Sequence, residues 1–84
     1  MDRTKLVRYD YYKGPQSLGD AWTLTQGALT MLCALKTHRL GWELRLTAGK
    51  NLIRTQVCKN ETEVFDTADA WQAEAIAKGW TASS

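Results

Sequence analysis

Eighty-four residues suffice for one domain, and a hydrophobic fraction of 44% with four Trp belongs to a globular chain rather than a disordered one. The net charge of +2 is unevenly spread: residues 1–59 carry ten Lys/Arg against four Asp/Glu (+6), and residues 60–84 one Lys against five (−4). Two Cys argue against a disulfide-built secreted scaffold; charged opening residues without an apolar h-region predict no signal peptide, and the longest apolar run, around Leu32 to Leu35, is too short to span a bilayer, so a cytoplasmic setting is expected.

In chain order, residues 1–20 come first and are read as an arm or a weak edge strand. Val7, Tyr9 and Tyr11 alternate against Leu6, Arg8 and Asp10, before Gly14-Pro15 and Gly19-Asp20 break the pattern. Trp22 and Leu24 then alternate with Thr23 and Thr25, and Gln26-Gly27 reads as a two-residue turn.

Residues 28–36 are ambiguous, because Leu, Ala, Met and Lys form helices well. Strand register favours the extended reading. A turn at His38-Arg39 puts Leu35 opposite Trp42, Cys33 opposite Leu44 and Met31 opposite Leu46. The Gln26-Gly27 turn sets Leu24 against Leu29 and Trp22 against Met31. A turn at Gly49-Lys50 sets Leu46 against Ile53, Leu44 against Thr55 and Trp42 against Val57. All three turns put the apolar sets on one side, and a slip of one residue would undo each.

Residues 60–80 are the plainest element. Asn60 is an N-cap residue with Glu63 three positions on. Val64, Phe65, Ala68, Trp71, Ala75 and Ile76 make an apolar stripe at helical spacing. Gly79 suits a left-handed C′ position, with Trp80 folding back on the last turn. Residues 81–84 read as a tail.

The expected fold is therefore α+β: a four-stranded antiparallel β-meander with one C-terminal helix packed on one face, and an extra N-terminal edge strand. Residues 21–80 form the domain. One helix cannot cover four twisted strands, so a homo-oligomer, a dimer first, is expected.

In this register Arg45 faces Arg54 across the ladder, with Lys36 and Gln56 nearby and Arg39 and Lys59 extending the basic surface. Like charges directly opposite each other are unfavourable, which fits an anion or nucleic acid held between them. Only Tyr9, Tyr11 and Tyr12 offer the aromatic stacking that single strands use. The bland reading, charges splayed in water, stands beside it. His38 reads as a turn residue and Cys33 as core. Cys58 points outward beside Lys59. No metal-ligand spacing, phosphate loop or nucleophile motif occurs, so neither cofactor nor catalysis is expected.

Four meandering strands followed by a helix resemble, over residues 22–80, the single-stranded-DNA-binding fold of the whirly proteins and of the transcriptional positive-cofactor type. Members of that fold dimerise through their helices and bind nucleic acid on the sheet. Their lysine-glycine-rich signature and aromatic positions are not found in these strands, so no functional residue carries over. The segment from Trp42 to Arg45 and the spacing of Trp71, Gly79 and Trp80 also look like small bacterial proteins, which implies no activity. Two functions follow as expectations: a non-enzymatic homo-oligomeric module with a basic sheet face for nucleic acid, or a structural, protein-interaction subunit.

Overall fold

The computed structural model describes residues 14–82. Four strands follow one another: β1 (Ser17–Gln26), β2 (Leu29–His38), β3 (Gly41–Ala48) and β4 (Asn51–Cys58). The helix α1 (Glu61–Ala77) and a two-residue strand, β5 (Thr81–Ala82), complete the chain. All pairings are antiparallel and the sheet order is β4-β3-β2-β1-β5. The α+β expectation holds, and residues 29–38 are strand rather than helix.

The extra edge strand lies at the opposite end from the one expected. Thr81 and Ala82 pair with Thr25 and Leu24, and the Thr81 hydroxyl donates to the Thr25 carbonyl at 3.3 Å. The expected N-terminal strand falls on residues outside the described range. Ser17 already pairs with Lys36, so β1 starts ahead of the expected boundary at residue 21.

Two hairpins differ from the expected register by two residues each. The first turn is Gly27-Ala28, which pairs Leu24 with Met31 and Trp22 with Cys33. Gly27 takes φ 60° there, at the first central position, where the favoured two-residue hairpin turns place a positive φ. A turn of that type at Gln26-Gly27 would put that conformation on Gln26. The second turn is Arg39-Leu40, which pairs Leu35 with Leu44 and Cys33 with Leu46. His38 Nδ1 accepts the Leu40 amide at 3.0 Å and holds this turn. It also brings Thr37 opposite Trp42. Buried Thr37 is satisfied from upstream: its hydroxyl accepts the Gln16 amide at 2.8 Å and donates to the Gly14 carbonyl at 3.3 Å. A shift of two preserves the faces, so Trp22, Leu24, Met31, Cys33, Leu35, Trp42, Leu44 and Leu46 are all buried as expected. Leu29 is the exception. It moves to the end of its strand opposite Gln26 and is exposed.

The third hairpin turns at Gly49-Lys50 as expected, with Gly49 at φ 60°. Three residues later the ladder slips. Thr47 pairs with Leu52, but Leu46 pairs with Arg54, leaving Ile53 as the extra residue of a β-bulge. From Arg54 onward every side chain of β4 lies on the face opposite to the expected one. Cys58 is fully buried, and Val57 turns away from the core.

Helix α1 covers the inner face with Val64, Ala68, Trp71 and Ala75. Ala68 is small enough for Trp22 to approach, and the indole N–H donates to the Ala68 carbonyl at 2.8 Å. Ile76, expected on the stripe, is exposed. Both helix ends are capped. Asn60 Oδ1 accepts the Glu63 amide at 2.8 Å, while the Glu63 carboxylate turns back to the Lys59 amide at 3.3 Å. At the C-terminus the Trp80 amide bonds to the Ala75 carbonyl and the Gly79 amide to that of Ile76. That is a Schellman motif, with Gly79 at φ 97° and Trp80 buried against the last turn.

Candidate binding surfaces

The residues expected to form one basic face are divided between two. On the open face, Lys36 of β2 lies directly opposite Glu43 of β3, and Arg45 lies opposite Ala34. Arg39 is exposed in the β2–β3 turn, and Lys59 is exposed between β4 and α1. Arg54 and Gln56 are on the other side, under the helix.

The facing pair of arginines does not form. Arg45 pairs with Thr55 and Arg54 with Leu46, because the bulge at Ile53 rotates the rest of β4 by one residue. Arg54 instead spreads over the Trp71 ring, with its guanidinium carbon 4.5 Å from the ring centroid. Its Nη2 donates to Glu74 at 2.8 Å. This joins a cation–π contact to a charge-assisted hydrogen bond. Lys78 Nζ lies 3.6 Å from the other oxygen of Glu74, one helical turn on. The Arg54 hydrogen bond and charge, with a smaller pull from Lys78, hold the Glu74 carboxyl below its ordinary range. Gln56 reaches the Thr67 hydroxyl at 3.3 Å. Both residues expected at an open surface thus tie β4 to α1. Tyr9, Tyr11 and Tyr12, the expected stacking platform, lie outside the described residues.

Beside Arg54 is a feature with no counterpart in the sequence analysis. Between the C-terminal half of α1 and the sheet lies a cleft of about 300 Å³. Met31, Leu46 and Ile53 line it from the strands, and Trp71, Ala75 and Trp80 from the helix side. Arg54, Glu74 and Lys78 complete the lining. No residue type in β4 announces the bulge that puts Arg54 here, so this site was hidden from pattern reading.

Cys58, expected to point outward beside Lys59, is buried. Burial pushes the Cys33 thiol up to about 12, and burial also raises that of Cys58. Both thiols are free and buried, and in each the burial disfavours the reactive thiolate. Among the described residues no group of His, Cys, Asp and Glu is placed to hold a metal ion, and no helix is long and apolar enough to cross a membrane. Nothing there points to catalysis. Comparison with known proteins returned no match, whether to a family model, a curated protein or a solved structure.

Proposed function

We propose that this chain is a non-enzymatic binding module that works as a homodimer, joined through the outer edge of β4. One observation carries the reading. Among the described residues, Leu52, Ile53 and Val57, half of the six exposed large hydrophobics, lie on β4, the strand that ends the sheet order on that side. Edge strands are usually blunted by charges, Pro, brevity or a bulge, and of these β4 has the bulge at Ile53, which leaves Leu52 and Val57 exposed. Here the only charged residue of the strand, Arg54, is drawn under the helix by Glu74. A second copy offers the same edge in the antiparallel sense, so a two-fold axis beside β4 would satisfy both edges and cover both apolar sets. Light scattering after size exclusion tests this. The native chain should elute as a dimer, and Val57→Lys with Leu52→Lys should elute as a folded monomer. A native monomer at high concentration sinks the idea.

A second reading concerns what the dimer holds. Joining two β4 edges makes the open faces continuous and doubles the patch of Lys36 and Arg45, which suits an anionic polymer such as nucleic acid. The resemblance of four strands followed by a helix to the whirly-type order supports it; the Glu43 carboxylate opposite Lys36 works against it. Titration with a labelled single strand should show salt-dependent binding that Lys36→Ala with Arg45→Ala abolishes. Binding unchanged in that variant leaves the protein-interaction reading alone.

A further inference from the structure

The cleft beside Arg54 has a composition of its own. Its floor is apolar and closely held: Met31, Leu46, Trp71, Ala75 and Trp80 are each less than a tenth exposed. Its volume of about 300 Å³ is at the lower end of the range for small-molecule sites. The rim holds two cations, Arg54 and Lys78, and one anion, Glu74, which serves both. A guanidinium has five N–H donors. Among the described residues only the Nη2 bond to Glu74 uses one, and the Nε–H is sealed without a partner. Three of the carbonyls at the helix C-terminus, a group that would repel an anion, are engaged: Ala75 and Ile76 accept the cap amides, and Lys78 accepts Gln26 Nε2 at 3.2 Å.

From this arrangement we infer that the cleft binds a small amphipathic monocarboxylate. The apolar body lies between Trp71, Trp80 and Leu46, and the carboxylate accepts from the free terminal N–H groups of Arg54 and from Lys78. The charge balance selects the anion: one more carboxylate evens a rim of two cations and one acid. The indole face of Trp71 fixes the guanidinium plane in advance, so little side-chain freedom is lost on binding. Glu74 then competes with the ligand for the same two cations. This inference does not depend on the β4 dimer, because the floor and rim belong to one chain.

Octanoate, octanol and octylammonium, all below their micelle thresholds, provide the test. Trp71 and Trp80 report through fluorescence, and amide NMR shifts report the location. Octanoate should saturate, bind about tenfold tighter than octanol or better, and shift amides of the cleft residues. Lys78→Gln should weaken octanoate severalfold with octanol unchanged. Glu74→Gln should strengthen it, since a competing carboxylate is gone. Both positions are exposed, so folding is not at stake; Arg54→Gln is added where circular dichroism shows it folded, and should reduce octanoate to the affinity of octanol. Octanol or octylammonium binding as tightly as octanoate overturns the inference. So do an absence of saturation, shifts that map elsewhere, or indifference of octanoate to both Lys78→Gln and Glu74→Gln.

Discussion

Gly41 follows a turn and begins β3, and its backbone lies against the carbonyl of Cys58. Its φ is 143°, and a Cβ placed there would run into that carbonyl oxygen. Gly27 is the informative contrast. It also has positive φ, but no atom lies within 4 Å of its virtual Cβ. Gly27→Ala should therefore cost only the left-handed conformation, about 1–2 kcal/mol. Gly41→Ala carries that kind of strain plus a collision with backbone that cannot swing aside, and should cost about 3 kcal/mol or more. Chemical denaturation of the two variants side by side checks the ordering. At the same scale, Glu74 contributes a pH signature. Its carboxyl titrates lower in the folded chain than in the unfolded one. Its ion pair therefore stabilises fully above the unfolded value of about 4.3, and the contribution disappears as pH falls through the depressed folded value. The difference in melting temperature between the native chain and Glu74→Gln should be present at neutral pH and vanish in acid. A difference that persists unchanged into acid would assign the effect to shape instead of charge.

The elements differ in how openly the sequence announces them. Helix α1 was readable in detail: Asn60, Glu63, Gly79 and Trp80 take the roles their types predict, since caps are local chemistry. The first two hairpins were readable in face but not in register. Two-residue displacements of the turns leave Trp22, Cys33 and Leu44 on the core side, because side chains alternate with period two. Strand β4 was readable only as far as Leu52. A bulge adds one residue, and one residue reverses the faces beyond it, so Arg54, Thr55, Gln56, Val57 and Cys58 were all affected at once. Nothing in the local composition marks it, since the gain is made at a distance: Arg54 reaches Trp71 and Glu74, and Gln56 reaches Thr67. The anion surface expected between Arg45 and Arg54 needs the unbulged register, and the bulge sends the two side chains to opposite faces of the sheet. The bulge itself is testable by a pair of substitutions. Cys58→Ser places a more strongly polar hydroxyl at a fully buried position and should cost about 1–3 kcal/mol. Val57→Thr, on the open side, should stay within about 0.5 kcal/mol when the protein is held below its association concentration. An even ladder predicts the reverse ordering.

At the scale of the whole molecule, one helix and one sheet share a thin core, and stability is correspondingly concentrated. A chain of 84 residues has roughly 4–13 kcal/mol in total at typical values per residue. Trp71 is the side chain on which most of the structure converges: it lies in the core cluster, carries Arg54 on its ring and forms part of the cleft. Replacing it by Ala removes a large buried aromatic and the surface that orients Arg54, a loss of about 3–5 kcal/mol. That is a large share of the whole, so Trp71→Ala should be largely unfolded when dilute. The same arithmetic makes self-association visible in stability. If two chains join along β4, the folded state is favoured by mass action. The melting temperature of the native chain should then rise with protein concentration, and that of Val57→Lys with Leu52→Lys should not. Trp71→Ala gives the stricter case: concentration should restore its helical signal only where the β4 edge is intact. A melting temperature independent of concentration in the native chain, over the range where light scattering reports a change of mass, would separate assembly from folding and place the dimer contact somewhere that does not support the sheet.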